Sequence, residues 1–177
     1  MHVLIRRESD NDVASVRAVT AAAFGRPGLG NVAAADVVEA TLVDELRASQ
    51  AWLPAYSLVA VDRGEVSGHV LCTRGHVDAV PVLALGPLSV HPDRQAAGVG
   101  TALMHAVLGA AEALGEPLVA LLGSPAYYAR FGFRLSAEYR IAPPRPEWRA
   151  HFQVRTLSRY RAGITGTFRY PEPFDRT

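Results

Sequence analysis

One stretch of this 177-residue chain has residue types and spacing suited to chemistry: Gln95-Ala-Ala-Gly98-Val-Gly100-Thr101. It stands between an apolar run, Val82 to Val90, and an amphipathic one that begins at Gly98. Glycines at such a turn let backbone N–H groups approach a ligand without an obstructing Cβ. The first turn of a helix adds unpaired N–H groups and a partial positive charge. Together they form a cradle for an anion such as a pyrophosphate. Gly-x-Gly alone serves tight packing as well, so rival sites must be tested by spacing. A P-loop needs Gly-Lys-Ser/Thr, and the chain contains no lysine. A dinucleotide fingerprint needs a third glycine three residues after Gly100, where Leu103 stands.

A cysteine nucleophile fares no better. Cys72 and His76 share a strand face, but four residues of strand put them about 13 Å apart. His69, at odd spacing, points to the other face, and a buried core role suits Cys72 best. The six histidines show no metal-ligand spacing, so no metal is expected.

The elements that must position the glycine turn follow from periodicity. His2–Arg7 reads as a first strand. Ser9, Asp10 or Asn11 caps a helix to about Phe24, with Val13, Val16, Val19 and Ala23 on one face. Gly25 to Gly30 breaks it, and a second helix spans roughly Ala34–Ala48. Tyr56–Asp62 and Glu65–Thr73 form a hairpin through Arg63-Gly64. In the run Val82–Val90, Gly86-Pro87 predicts a bulge or local loss of ladder bonding. Gly98–Leu114 is a helix with a buried stripe of Val99, Leu103, Val107, Ala110 and Leu114, ended by Gly115. Leu118–Leu122 is a short strand, Tyr127–Phe131 a brief helix, and His151–Leu157 and Ile164–Tyr170 weaker strands. That order predicts one α/β (mixed α+β) domain over residues 1–177, a mixed sheet with helices on both faces.

Composition bounds the function. Hydrophobic residues make up 49% and charged residues 20%, a globular balance. The net charge of +1 argues against a nucleic-acid partner. Residues 128–177 nevertheless hold ten arginines against four acids, a face that solvation explains best. One cysteine and no long apolar run predict a cytoplasmic protein with no membrane partner.

Two motifs together then resemble a known family. Val90-His-Pro-Asp-Arg-Gln95-Ala-Ala-Gly98-Val-Gly100 looks like the acetyl-CoA-binding signature of the GNAT acetyltransferases, Gln/Arg-x-x-Gly-x-Gly/Ala. Tyr128-Ala-Arg-Phe-Gly-Phe133 resembles the family's second signature, a helix and a strand later. Gly68-His-Val70, Leu85-Gly-Pro-Leu88, Pro125-Ala-Tyr-Tyr128 and Gly166-Thr-Phe-Arg-Tyr-Pro171 are similar to its YhbS-like branch. The resemblance implies a mostly antiparallel central sheet and transfer of acetyl from acetyl-CoA to an amine by direct attack. It assigns Gln95, Gly98, Val99, Gly100 and Thr101 to the pyrophosphate, with Arg94 assisting. Backbone groups of Leu88 and Val90 would pair with the pantetheine arm. Tyr128 would protonate the departing thiolate as general acid, with Tyr127 as fallback. Ala97 replaces the family's frequent basic residue, and Leu121 its frequent asparagine.

The attacking amine must be neutral, and an alkyl amine of pKa about 10.4 needs roughly 4.6 kcal/mol to lose its proton at pH 7. Candidate bases are Glu39 on the second helix and His69 and His76 in the hairpin. A second class of function, a catalytically silent acyl-CoA-binding regulatory module, fits the cradle equally. The acceptor (small molecule or peptide N-terminus) and the oligomeric state, a homodimer included, stay open.

Overall fold

The structure, a computed structural model, describes residues 3–25 and 37–176. His2, the turn at 26–30 and the start of the second helix at 34–36 lie outside them. Strands β1 (Val3–Arg7), β2 (Ser57–Asp62), β3 (Glu65–Val77) and β4 (Val80–Val90) run antiparallel in chain order. Arg63 and Gly64 both take positive φ, 53° and 87°, the geometry of a tight hairpin turn. Next to β4 lie β5 (Leu118–Leu122), parallel to it, then β8 (Phe152–Thr156) and β6 (Arg134–Leu135). Strand β9 (Gly166–Arg169) pairs with the end of β3 and with β7 (Ile141–Ala142).

Alternation along β3 sorts its residues to two covered faces, so nearly the whole strand is buried. Val70 and Cys72 pack against Val99, Leu103 and Val107 of helix α3 (Val99–Ala113). Leu71 turns the other way, against Leu42 and Leu46 of helix α2 (Val38–Ala48). On that same face Val59 of β2 meets Val43 of α2 and Val16 of helix α1 (Val13–Phe24). Helices cover both faces, as the sequence predicts. Strand β3 outruns its predicted end at Thr73. Gly75 there admits the ring of Phe168, which a Cβ would approach to 2.9 Å.

Helix α3 carries one correction. Leu114, assigned to its buried stripe, is 56% exposed because the helix has already ended at Ala113. Met104, Leu108 and Ala111 are buried instead.

The feature that matters for the site lies at β4. Cys72 pairs with Leu85 and Val70 with Leu88, so Gly86 and Pro87 together oppose Leu71 alone. This is the bulge that Gly-Pro foretold, two residues against one. Beyond it β4 leaves β5: their ladder holds only Leu83–Val119 and Ala84–Ala120. Residues 85–90 therefore have no β5 partner on that edge.

Candidate active site

The hydrogen-bond alternation of an antiparallel pair decides which backbone groups the splayed edge of β4 offers. His91 N–H donates to Ser67 O at 2.9 Å, which makes that a bonded pair. Ser89 then bonds toward β3, while Leu88 and Val90 aim their N–H and C=O groups into the opening. Gln95 Nε2 already donates to Val90 O at 3.1 Å. Pro87 has no N–H, so Leu88 carries the first free donor after the bulge.

Two cavities flank this edge. One, about 540 Å³, is lined by Val90, Arg94, Gln95, Gly98, Gly100, Thr101, Tyr127 and Arg130. Gly98 precedes α3 with φ of 85°, a conformation glycine adopts without a Cβ penalty. The first helical bond runs from Ala102 N–H to Gly98 O. The amides of Val99, Gly100 and Thr101 thus lie ahead of it at the positive end of a four-turn helix. A Cβ on Gly100 would come within 3.0 Å of the Tyr127 hydroxyl. Val99 contributes only its backbone, since its side chain is in the core.

Cations stand at the same mouth. Arg94 Nη1 is 3.0 Å from Asp62 Oδ2, so its charge is partly matched. Arg130, which the motif reading missed, lies with its guanidinium 4.6 Å from the Tyr127 ring centre and its Nε 2.9 Å from Tyr127 O. Its position, two residues after the signature tyrosine on a short helical turn, was the available signal.

The other cavity, about 580 Å³, is walled by Phe24, Leu42, Leu85, Leu122, Trp148, Tyr170 and Phe174, with Glu39 and Tyr128 also on its lining. Phe24 and Leu88 line both cavities. The tyrosine pair divides between them: helix α4 (Pro125–Tyr128) sends Tyr127 to the first and Tyr128 to the second. Their rings meet edge to face at 4.9 Å. Burial, with a smaller effect from Tyr127, pushes the Tyr128 phenol up to about 12. No hydrogen bond to its hydroxyl is found among the described residues. Gly123 makes room for the ring; a Cβ there would overlap it. Both ends of Gly123 are tied, its N–H to His151 O and its O to Gln153 Nε2, each at 3.0 Å.

The sequence pattern of the acetyltransferase (GNAT) family matches residues 22–133, which span the cradle, the splayed edge and the tyrosine pair. The chain belongs to the GNAT family.

GNAT relatives resemble it along most of its length. The uncharacterised N-acetyltransferase YjhQ of Escherichia coli strain K12 is 31% identical over 180 residues, covering 97% of this chain and 94% of the relative. YhbS of the same strain, also uncharacterised, is 31% identical over 141 residues, covering 78% and 84%. A crystal structure of E. coli YhbS in complex with CoA superposes with a TM-score of 0.87 at 30% identity, covering 99% of this chain and 93% of that one. A GNAT acetyltransferase from Brucella melitensis in complex with acetyl-CoA gives 0.78 at 31%, covering 98% and 99%.

Within this GNAT domain the candidate bases separate. Glu39 lies on the second cavity's lining. His69 does not, and the structure withdraws it. It is fully buried on the α1–α2 face of β3, with Nε2 2.9 Å from Ser57 Oγ and 3.3 Å from Glu8 Oε2. Ser57 also bonds Glu8, and Arg47 Nη2 holds Glu8 at 2.6 Å. Ser, His and Glu meet here without a solvent path, and the carboxylate engages the same imidazole nitrogen as the serine. The cluster is a buried clasp, since a triad's carboxylate holds the opposite nitrogen. His76 lines a third cavity with Arg74 and Glu172. Cys72 is wholly buried, which pushes its thiol far up and keeps it un-ionised.

Among the described residues, no cluster of three or more His, Cys, Asp or Glu forms a metal site. No helix there is long and apolar enough to cross a membrane.

Proposed function

We propose that the chain transfers an acetyl group from acetyl-CoA to an amine by direct attack. One observation carries the reading: an anion cradle and an apolar chamber meet at the free backbone edge of Leu88, beside an un-ionised phenol.

The residues present fit acetyl-CoA piece by piece. The amides of Val99, Gly100 and Thr101, with Arg130 and Arg94 at the mouth, suit a pyrophosphate. The cradle therefore has cationic help from Arg130 despite Ala97. The edge of Leu88 and Val90 suits the amides of a pantetheine arm, which would add to β4 as an extra strand. When bound, the thioester supplies an activated acetyl carbonyl.

The protein's groups then divide the work. Glu39 accepts a proton from the incoming ammonium and passes it to solvent. The neutral nitrogen attacks the acetyl carbon, and Leu88 N–H steadies the oxygen on which negative charge develops. The carbon–sulfur bond breaks, and Tyr128 gives its proton to the sulfur. The proton released as the nitrogen becomes an amide restores Tyr128. Ammonium and thioester thus yield amide, thiol and one proton.

Calorimetric titration with acetyl-CoA, beside CoA and ATP, tests the cradle. Saturable acetyl-CoA binding that disappears in Gly98→Glu, with circular dichroism unchanged, is expected. No binding to folded protein would end this reading. Binding without turnover on any amine would instead favour the silent acyl-CoA-binding module.

A further inference from the structure

The chamber that receives the acceptor has a distinctive chemistry. Its described lining is largely aromatic and aliphatic, with Phe24, Tyr128, Trp148, Tyr170 and Phe174 as the large rings. Glu39 is the only charged side chain on it among the described residues. The Tyr170 hydroxyl is engaged by the backbone of Leu122, and its ring packs among Trp148, Phe168 and Phe174. Such a lining solvates one cationic end and an uncharged body. Among the described lining residues, an acceptor carboxylate or phosphate finds no cation and a second ammonium no second carboxylate. Arg145 stacks on Trp148 and lines the adjoining cavity.

We infer that the acceptor is an aryl-alkyl monoamine: a primary amine that meets Glu39 and an apolar aromatic body that stacks in the ring-lined chamber. This deepens the acetyltransferase reading and rests on it. Rings are favoured over straight alkyl chains because edge-to-face and offset contacts add to the area buried. The charge argument is the stronger discriminator. An unpaired buried charge costs enough to depress kcat/KM by about 100-fold or more.

The test is a matched panel assayed with acetyl-CoA: phenethylamine, tryptamine, phenylalanine, n-butylamine and spermidine. Phenethylamine and tryptamine should lead. Phenylalanine, the same body with a carboxylate, should fall at least ~100-fold below phenethylamine in kcat/KM. A second arm uses Trp148→Arg, which puts a cation on the wall while leaving the cradle untouched. It should narrow or reverse the preference for phenethylamine over phenylalanine. Wild-type turnover led by spermidine or by phenylalanine would overturn the acceptor assignment while leaving the acetyltransferase reading in place. Saturable acetyl-CoA binding with no turnover on any panel member would overturn it too. Absence of acetyl-CoA binding would remove both.

Discussion

Burial that holds the Tyr128 phenol at about 12 has two opposing effects on its proposed role as an acid. It keeps the proton in place throughout the working range, yet it makes the phenol a reluctant donor to a thiolate of ordinary pKa about 8.5. The conflict eases because the departing sulfur is desolvated by the same apolar walls, which raises its own proton affinity. An acid loses function only as pH rises through its pKa, so Tyr128 imposes no alkaline limb on kcat between pH 7 and 10. Tyr128→Phe should lower kcat about 100-fold or more while acetyl-CoA binding persists. An alkaline limb below pH 10 that vanishes in this variant would contradict the raised pKa, and an unchanged kcat in Tyr128→Phe would contradict the acid role. Gly123→Ala tests the ring's placement. Its methyl would press on Tyr128 from a backbone that His151 and Gln153 hold, costing about 1–3 kcal/mol of stability. Turnover should drop toward that of Tyr128→Phe, and the double variant should lose little more. At this scale the sequence was most legible, because Gly98 and the tyrosine pair meet local demands of φ and ring position. Arg130 escaped because the signature fixes Tyr128 and its glycine but not the residues between them, although the arginine's place on the same helical turn puts it against Tyr127.

Among the elements, the clasp between β1's continuation, β2, β3 and α2 offers a pH test. His69 is held neutral chiefly by burial, against the pull of Glu8, and its pKa is lowered. The unfolded chain takes up a proton near the ordinary histidine pKa of about 6.5, and the fold resists it. Stability therefore falls as pH drops below about 6.5. Glu8 is lowered too: burial raises it, but hydrogen bonds from His69 and Ser57 and the charge of Arg47 prevail. Its contribution is full above about 4.5 and is lost as pH falls through its folded pKa. Urea midpoints should decline from pH 7.5 to 5.5. His69→Gln should flatten that slope while lowering the midpoint at pH 7.5. Equal slopes in both proteins would rule the clasp out as the source. The bulge was readable from Gly86-Pro87, since proline removes a ladder donor wherever it stands. The splay between β4 and β5 was not, because register between distant strands leaves no local mark. Nor did β6 and β7 show, two residues each being too few to display a period.

For the molecule as a whole, ligand binding and stability should be linked. At 100 times Kd, acetyl-CoA should add about 2.7 kcal/mol to the folded state. In a domain of this size that corresponds to a rise in Tm of roughly 5–11 °C by differential scanning fluorimetry. Gly98→Glu should abolish the rise. A folded wild-type protein with no shift would remove the linkage. The fold class was visible in the order of elements, but the aromatic wall was not. Trp148, Tyr170 and Phe174 come from the last thirty residues, where the one quoted motif, Gly166–Pro171, carries no functional role, and only the tertiary fold brings them to one cavity with Glu39. The shared border of the two cavities at Phe24 and Leu88 has a consequence for ligands made by joining the two partners. Under the proposed reading, a single compound tethering a CoA arm through its sulfur to an aryl-alkyl amine would reach both chambers across this border. Its second half then docks at an effective concentration in the millimolar range, so its avidity exceeds that of either fragment alone.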